Sequence, residues 1–439
     1  MKRLTYSDAR WRVTVGCALL AALVCAPGLG AAEAESKPLW PRWMELSGEW
    51  RGRFEGNTGI GFREDSNDFY YLHRVRANLL LKPSSWLRFQ FTGQDSEAPA
   101  ERKPIPASVA DGFDLFQAYV EIGNPKASRW SARIGRQEIR FDNELLVGAA
   151  NWGNTGRSYD AARLIYDTDR YHGEVWGSTV VQPVHGEVNR FTHNQQLHGI
   201  HFDAKRWLPN STVSFYHYIK INPRESNSTA TAVGRSRVHA TGFRLAGTLP
   251  NHFDYIAETA VESGQSGGEP LSAWAGRYVV GQTPWKSRYE PRIYGIYSYA
   301  SGDTDRRDGR RGTFDQMFPT NHSPFGIGDR VSLRNMHEAG FGAQWRPCKS
   351  ITLQHEFHSF WLASRNDYFY NVGQQRVAID PNATSDHLYN EWDTQAVWTV
   401  TRHVQAIIGY AHIFPGEFVS QATPGSSGSV PYAQWLYRF

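Results

Sequence analysis

Residues 430–439, Val-Pro-Tyr-Ala-Gln-Trp-Leu-Tyr-Arg-Phe, form a strand-like stretch with two different faces. Alternate side chains of a strand point to opposite sides. One face carries Ala433, Trp435, Tyr437 and Phe439, and the other carries Tyr432, Gln434, Leu436 and Arg438. On a soluble sheet this strand would leave aromatic rings in water beside an unpaired edge. A closed transmembrane barrel removes both problems, because its last strand pairs with its first and the rings face lipid.

The same two-residue period runs through most of the chain. In the stretch 45–55, Leu46, Trp50 and Phe54 alternate with charged residues such as Arg51 and Arg53. Amphipathic helical spacing is almost absent, and beyond the N-terminal segment no apolar run approaches the length of a membrane-spanning helix. These patterns predict an all-β protein, a transmembrane antiparallel β-barrel of about 18 strands.

The strands are predicted from this alternation at 45–55, 69–82, 86–95, 113–122, 129–138, 160–167, 171–182, 196–206, 211–220, 237–249, 253–263, 272–281, 291–300, 332–346, 350–361, 388–400, 403–413 and 430–439. Short connections are expected near 82–84, 124–125, 208–210, 249–251, 346–348 and 401–402. Longer connections are expected near 56–68, 96–112, 139–159, 221–236, 301–331, 362–387 and 414–429, and the Gly- and Ser-rich stretches 263–268 and 423–429 are assigned to loops. Short periplasmic turns and long extracellular loops are typical of outer-membrane barrels, and an even strand count leaves both ends in the periplasm.

The N-terminal segment has the pattern of a secretory signal. Basic residues precede an apolar run over 13–29, and Ala32-Glu33-Ala34 fits a cleavage site. A membrane anchor is the alternative, but Pro27 interrupts the run early. We therefore predict a signal peptide over 1–34 and one barrel domain over 35–439. The mature chain then keeps only Cys348, which excludes an internal disulfide and a cysteine metal cage.

Arginine dominates the basic residues of the predicted strands. Guanidinium groups bind carboxylates in a two-pronged geometry that lysine cannot match. The arginines on the polar face of their strands are Arg51, Arg53, Arg74, Arg76, Arg88, Arg133 and Arg163. Carboxylates that could neutralise them are Glu45, Glu49, Glu55, Glu121 and Glu138. Two interpretations stay open, a salt-bridge ladder that stiffens the wall and a basic conduit for an anionic solute.

Two segments resemble the alginate export family of outer-membrane porins. The first is Arg-Ile-Gly-Arg-Gln-Glu-Ile at 133–139, followed by Leu-Leu-Val-Gly at 145–148, Asn151-Trp152, Asn-Thr-Gly-Arg-Ser-Tyr-Asp at 154–160 and Arg163. The second is Gly-Thr-Phe-Asp-Gln-Met-Phe-Pro-Thr-Asn-His at 312–322, with Gly326 and Asp329 shortly after. The similarity extends over about 43–439. The resemblance implies an eighteen-strand barrel with an arginine-rich constriction that passes a polyuronate outward, with Arg136, Arg157 and Arg163 along the polyanion path.

The sequence thus predicts a channel in the bacterial outer membrane. Its expected solute is an acidic polysaccharide such as alginate, passed through an arginine-lined lumen. The alternative is a general or small-carboxylate porin with no role in polysaccharide export. Expected partners are anionic polysaccharide or small carboxylates, outer-membrane lipid, periplasmic export proteins and the barrel insertion machinery, whose recognition signal the aromatic C-terminus resembles. No nucleic acid is expected.

No cofactor is predicted from the remaining motifs. Asp303, Asp305 and Asp308 are weak candidates for calcium in an outer loop, but their spacing is one residue too long and no bidentate Glu follows. His355 and His358 point to opposite faces of a strand, which argues against a shared metal. Candidates for catalysis such as Ser214, Ser359, His198 and His217 belong to no catalytic motif, so the sequence predicts no enzyme.

Overall fold

The computed structural model describes residues 41–99, 109–124, 128–184, 186–285, 287–322 and 324–439. The predicted signal peptide at 1–34 and Pro125 of one predicted turn lie outside the described residues. Residues Arg42–Phe439 form one compact unit, without the internal boundary that a second domain would give. Within the described residues, no helix has the length and apolar character needed to cross a membrane.

Eighteen antiparallel strands form one sheet, which closes because the last strand pairs with the first. These barrel strands are β1 (Met44–Asn57), β2 (Asp68–Ser84), β3 (Leu87–Glu97), β4 (Asp111–Gly123), β5 (Trp130–Gln137), β6 (Tyr159–Asp167), β7 (Tyr171–Gln182), β8 (Arg190–Lys205), β9 (Ser211–Ser226), β10 (Val233–Leu249), β11 (Phe253–Ser266), β12 (Glu269–Gln282), β13 (Arg292–Ala300), β14 (Met336–Cys348), β15 (Ile351–Trp361), β18 (His387–Thr399), β19 (Val404–Pro415) and β20 (Gly428–Arg438). A loop hairpin comprises β16 (Phe369–Tyr370) and β17 (Arg376–Ala378), and one short helix is α1 (Glu417–Ala422). The predicted all-β barrel and its strand number are confirmed.

The two faces of the wall follow the sequence period. Large apolar side chains of the strands point outward, where lipid replaces water as their neighbour. Exposed examples are Leu46, Trp50, Phe54, Phe91, Phe113, Ile134, Leu164, Val175, Ile200, Phe215, Phe243, Val261, Val280, Ile293, Phe341, Trp392 and Ile408. The alternate positions point inward, and many of them carry charge.

The seam between β1 and β20 closes the barrel through its terminal residues. The amide of Gly48 donates to the Phe439 carbonyl at 3.0 Å, and the Phe439 amide donates back to Gly48 at 3.1 Å. Trp435 packs across Gly52, where an added Cβ would lie 2.2 Å from the indole. Glycine is therefore needed in β1 so that the aromatic rings of β20 can cover the seam.

Several predicted connections are in fact parts of strands. β2 and β14 continue through Pro83 and Pro347, with register shifts at both places, because proline has no amide to donate to the ladder. β9 and β10 extend into the predicted loop 221–236, and β11 extends through Ser266. The predicted Gly- and Ser-rich loop at 263–268 therefore shrinks to a turn at 267–268.

Two long segments, the 138–158 loop and the 301–335 loop, fold into the barrel. Each makes hydrogen bonds with the wall or with the other segment, and together they bring the main hydrophobic core inside the lumen. Core members from the two loops include Ile139, Phe141, Leu145, Leu146, Val147, Phe314, Met317, Phe318, Phe325 and Leu333. These loops therefore occupy part of the lumen.

Candidate lumen site

Four of the predicted pore arginines hold a turn of the 138–158 loop. Arg51 donates to the carbonyls of Asn151 at 2.8 Å and Gly153 at 3.0 Å. Arg53 donates to the Trp152 carbonyl at 2.8 Å. Arg74 reaches the Asn151 carbonyl at 3.2 Å, and Arg76 reaches the Asn151 side chain at 3.0 Å. These four residues, hereafter the arginine clamp, come from β1 and β2 because alternate positions of adjacent strands share the inner face.

The clamp is buried and only partly neutralised. Each of its four residues is at most 8% exposed. Carboxylates near it are Glu49 on Arg74 at 2.7 Å, Glu55 on Arg53 at 2.9 Å and Glu138 near Arg76 at 3.7 Å. Arg51 has no carboxylate partner among the ion pairs of the described residues. Backbone carbonyls, whose lone pairs accept from guanidinium groups, take up part of that excess of donors. Each of the four arginines still has one buried nitrogen without a hydrogen-bond partner in the described residues.

The other predicted arginines divide into ion-paired and backbone-bound residues. Arg88 and Arg133 share Glu121, with distances of 2.9 and 2.6 Å. Arg163 pairs with Glu174, and Arg136 pairs with Asp160 at 2.9 Å. Arg157 instead donates to the carbonyls of Gly148, Phe318 and Pro319 at 3.0, 2.6 and 3.0 Å. Eight of the nine lie on the inner wall or the 138–158 loop. Arg136 instead shares the strand face of the exposed Ile134 and lies opposite Asp160 in register, so it faces away from the lumen. The role of these arginines in a solute path stays a prediction.

The two segments that carry the family resemblance meet inside the lumen. Val147 and Phe318 form a parallel bridge, and the Gly148 amide donates to the Phe318 carbonyl at 2.9 Å. The Gln316 side chain donates to the Leu145 carbonyl at 3.1 Å. The resemblance therefore reflects one joint structure, in which each lumen loop satisfies the backbone of the other.

One glycine of the first segment that resembles the family, Gly135, occupies a position where a larger side chain would not fit. Gly135 lies in β5 with φ +124°, in the region that favours glycine. A Cβ there would lie 2.3 Å from the Ala118 carbonyl oxygen on β4. The neighbouring Arg133 and Arg136 are thus set on a strand that approaches β4 more closely than a side chain would permit.

A buried ion pair anchors the 301–335 loop to the wall. Lys220 donates to both carboxylate oxygens of Asp315 at 2.8 Å. Burial alone would raise the pKa of Asp315, but the charges of Lys220 and Arg334 and the hydrogen bond from Lys220 lower that pKa to about 2. The Asp315 carboxylate is therefore charged at neutral pH and ties the loop to β9.

An open cavity of about 480 Å³ lies in the half of the lumen nearer the short turns. Arg133, Arg140 and Arg163 line it together with Glu45 and Glu138. Arg140 is exposed and has no ion-pair or hydrogen-bond partner in the described part of the chain. The sequence interpretation missed Arg140, although it directly follows the resembling segment 133–139. Its position in a loop, outside the strand period, concealed that it faces the lumen.

The comparisons with known proteins agree with this geometry. The family model described as alginate export matches residues 42–433, nearly the whole chain. The chain belongs to the alginate export family. No curated protein sequence matches it.

Solved structures with the same fold have little sequence identity to this alginate export family member. One is Pseudomonas aeruginosa OccK3 (OpdO), with a TM-score of 0.60, 11% identity, and coverage of 90% of this chain and 95% of that chain. Another is Pseudomonas aeruginosa OccD3 (OpdP), with a TM-score of 0.59, 8% identity, and coverage of 95% and 96%. Acinetobacter baumannii OccAB4 gives a TM-score of 0.59, 9% identity, and coverage of 92% and 100%. At these identities the likeness shows the fold alone.

Family membership, barrel closure and the apolar exterior together define the class of this alginate export family protein. It is a β-barrel of the bacterial outer membrane and an outer-membrane channel. Its family and fold are those of channels and not of enzymes. Of the side chains considered for catalysis, Ser214 donates to Asp142 at 3.4 Å, and Nδ1 of His217 lies 2.8 Å from the Thr241 hydroxyl.

The weak calcium candidates serve as turn acceptors. Asp303 accepts from the Asp305 amide at 3.1 Å, Asp305 from the Arg307 amide at 3.1 Å and Asp308 from the Arg310 amide at 2.8 Å. Within the described residues, the groups whose ligand atoms gather closely enough for a metal lie elsewhere, at Asp142, His201 and Asp203 and at Glu356, His358 and Asp393. Calcium in the outer loop stays an untested prediction.

Proposed function

We propose that this channel passes anionic solutes, with an acidic polysaccharide such as alginate as the first substrate to test. The observation that carries the proposal is Arg140, an exposed guanidinium without a partner among the described residues, which lines the lumen cavity beside Arg133 and Arg163. A fixed cation that is not neutralised attracts an anion into a low-dielectric passage. Family membership supports the choice of a polyuronate.

Weak binding is a requirement for transport along such a path. A polyuronate carries one carboxylate on each sugar, so several guanidinium groups can share it in succession. Because Arg133 is already paired with Glu121, it offers an incoming carboxylate only part of its donors. Such partly neutralised sites bind an anion loosely and release it again, which is what conduction needs.

Small carboxylates are the second candidate substrate. The arginine clamp and the Lys220–Asp315 pair keep both lumen loops inside the barrel. The cavities beside these loops measure about 480 and 450 Å³, a size that suits a single small carboxylate. An extended polymer would need the loops to shift, so this observation favours the small-carboxylate porin as the alternative.

Single-channel recording in planar bilayers tests the proposal. We expect anion-selective currents, and block by uronate oligomers that neutral oligosaccharides of equal length do not reproduce. Arg140→Gln should weaken that block severalfold, whereas Arg170→Gln in an exposed turn should leave it unchanged. Cation selectivity, or equal block by neutral and acidic oligomers, would refute the anionic path. Carriage of small carboxylates without any uronate block would favour the alternative.

A further inference from the structure

A buried histidine on the inner face of β15 has one ring nitrogen without a hydrogen bond. His358 is fully buried, and its Nδ1 lies 2.7 Å from Glu338 Oε1. Its Nε2 has no hydrogen-bond partner within the described structure. Two carboxylate oxygens face that nitrogen, Glu356 Oε2 at 3.8 Å and Asp393 Oδ2 at 3.7 Å. These separations are too long for hydrogen bonds and leave the nitrogen aimed at a gap between carboxylates.

The surroundings hold more negative charge than the local cations neutralise. Glu338, Glu356, Glu391 and Asp393 all lie around His358 and are at most 8% exposed. Among the ion pairs of the described chain, only Glu338 is matched by an arginine, Arg277 at 2.8 Å. Glu391 Oε2 and Asp393 Oδ1 also have no hydrogen-bond partner in that part of the chain. Buried carboxylates in such numbers require a further positive charge or protons.

The arrangement matches the ligand chemistry of a divalent transition metal. We propose that His358 Nε2, Glu356 and Asp393 bind one such cation in the barrel wall, with zinc as the best-fitting member. Imidazole with carboxylates is a common zinc ligand set, and the ligand atoms here lie within 4.8 Å of one another. The Glu338 carboxylate accepts from the other ring nitrogen, which is the usual support for a metal-binding imidazole.

The strands explain why this site escapes the sequence motif. His355 and His358 do face opposite sides, and His355 stacks on Trp345 instead, with ring centroids 5.2 Å apart. Glu356 and His358, two residues apart, share the inner face, and the register sets Asp393 opposite Glu356. The third ligand thus comes from β18, far away in sequence.

The 301–335 loop covers the cluster from the lumen side. Ile327 and Gly328 donate their amides to Asp393 Oδ2 at 2.9 Å and Glu391 Oε1 at 2.7 Å. Gly326 has φ +78°, and a Cβ there would lie 2.2 Å from Glu391 Oε1. Glu356 also lines a lumen cavity of about 450 Å³, which gives an ion a route to the site. A bound cation would hold β15, β18 and this loop together.

Metal content of the folded barrel tests the proposal. The full mature chain is refolded in detergent after removal of any polyhistidine tag, stripped with a chelator, incubated with zinc chloride and dialysed. We expect one zinc per folded chain by elemental mass spectrometry, and excess calcium should not displace it. A folded barrel that retains no zinc overturns the site and indicates that protons neutralise the cluster.

Variants separate this site from other histidines. His358→Gln should abolish zinc retention, and Glu338→Gln should weaken it by about 10- to 100-fold. His355→Gln on the opposite face and His201→Gln in the other histidine–carboxylate group should retain one zinc. Unchanged zinc in His358→Gln overturns the proposal.

If His358→Gln does not fold, X-ray absorption of the zinc-loaded His201→Gln variant decides the matter, because that variant lacks the other histidine–carboxylate group. One imidazole within an oxygen shell supports the site. A sulfur ligand, or two or more imidazoles, overturns it.

Discussion

The indole of Trp152 lies flat on the imidazole of His322, with ring centroids 3.4 Å apart and planes 1° from parallel. Trp152 belongs to the 138–158 loop and His322 to the 301–335 loop, so this stack joins the two lumen segments. The Arg53 guanidinium lies over the Trp152 ring, 3.9 Å from its centroid, and Asp329 Oδ2 lies 2.9 Å from His322 Nδ1. The stack therefore couples Arg53, a clamp residue on β1, to the 301–335 loop.

Trp152→Ala should loosen this junction and widen the channel. Removal of the ring deletes both the stack on His322 and the cation–π contact with Arg53, together worth about 1–3 kcal/mol. We expect a larger single-channel conductance with more current noise. Trp207→Ala, at an exposed rim position, is the matched control and should conduct like the wild type. Unaltered conductance in Trp152→Ala would show that the loops do not limit the current.

Glu121→Gln should make the channel more anion-selective. Glu121 neutralises two guanidinium groups, Arg88 and Arg133, and its loss exposes both charges to the lumen. The reversal potential in a salt gradient should shift toward the equilibrium potential of the anion. The shift should be largest at low ionic strength, where the screening of charges is weak. Glu290→Gln, at an exposed rim pair with Arg346, should leave the reversal potential in place. A shift of the same size in both variants would count against a lumen role for Arg88 and Arg133.

Acid should release the 301–335 loop through Asp315. Its pKa is lowered from the ordinary aspartate value of 3.8 to about 2, so the Lys220–Asp315 pair stabilises the fold fully above pH 3.8, and this stabilisation fades as the pH falls toward 2. In wild-type recordings we expect a larger conductance level to appear in that acid window.

Asp315→Asn should show the same level already at neutral pH, because Lys220 then lacks its carboxylate. Since other carboxylates also titrate in acid, the informative quantity is the difference between wild type and variant. An identical acid response in the two proteins would contradict this assignment.

Gly52→Val should hinder barrel closure. Its side chain would collide with Trp435, which lies 2.2 Å from the position of the new Cβ. We expect a lower yield of the compact, heat-modifiable form on gels after refolding. Gly295→Val is the control, because nothing lies within 4 Å of its Cβ position. Equal yields from the two variants would show that the seam tolerates the larger side chain.

Strand positions were predictable because lipid and lumen impose opposite demands on alternate residues. That contrast fails beyond the membrane, where β9 continues through Asn222, Arg224 and Glu225 with polar residues on both faces. The bulges at Pro83 and Pro347 were likewise mistaken for turns, because proline carries the same local signal in both settings.

The lumen arrangement could not be read from local patterns. Arg157 contacts Phe318 across 161 positions of sequence, and His358 meets Asp393 only through the register of two strands. Neither contact leaves a periodic signal. The polar face of each strand indicated which strand arginines point inward. It could not reveal that four of them donate hydrogen bonds to the 138–158 loop. Nor could it reveal that Arg140 has no hydrogen-bond or ion-pair partner among the described residues.

The bonds between Gly48 and Phe439 have a consequence for the order of events during biogenesis. Gly48 leaves the ribosome well before Phe439, so the barrel strands that lie between them in sequence are exported before the two can meet. During that delay the backbone hydrogen-bond donors and acceptors of β1 that later pair with β20 remain unpaired, and another polypeptide can bind to them. The hazard of cross-pairing between nascent copies therefore grows with the time that separates the arrival of β1 from the arrival of β20.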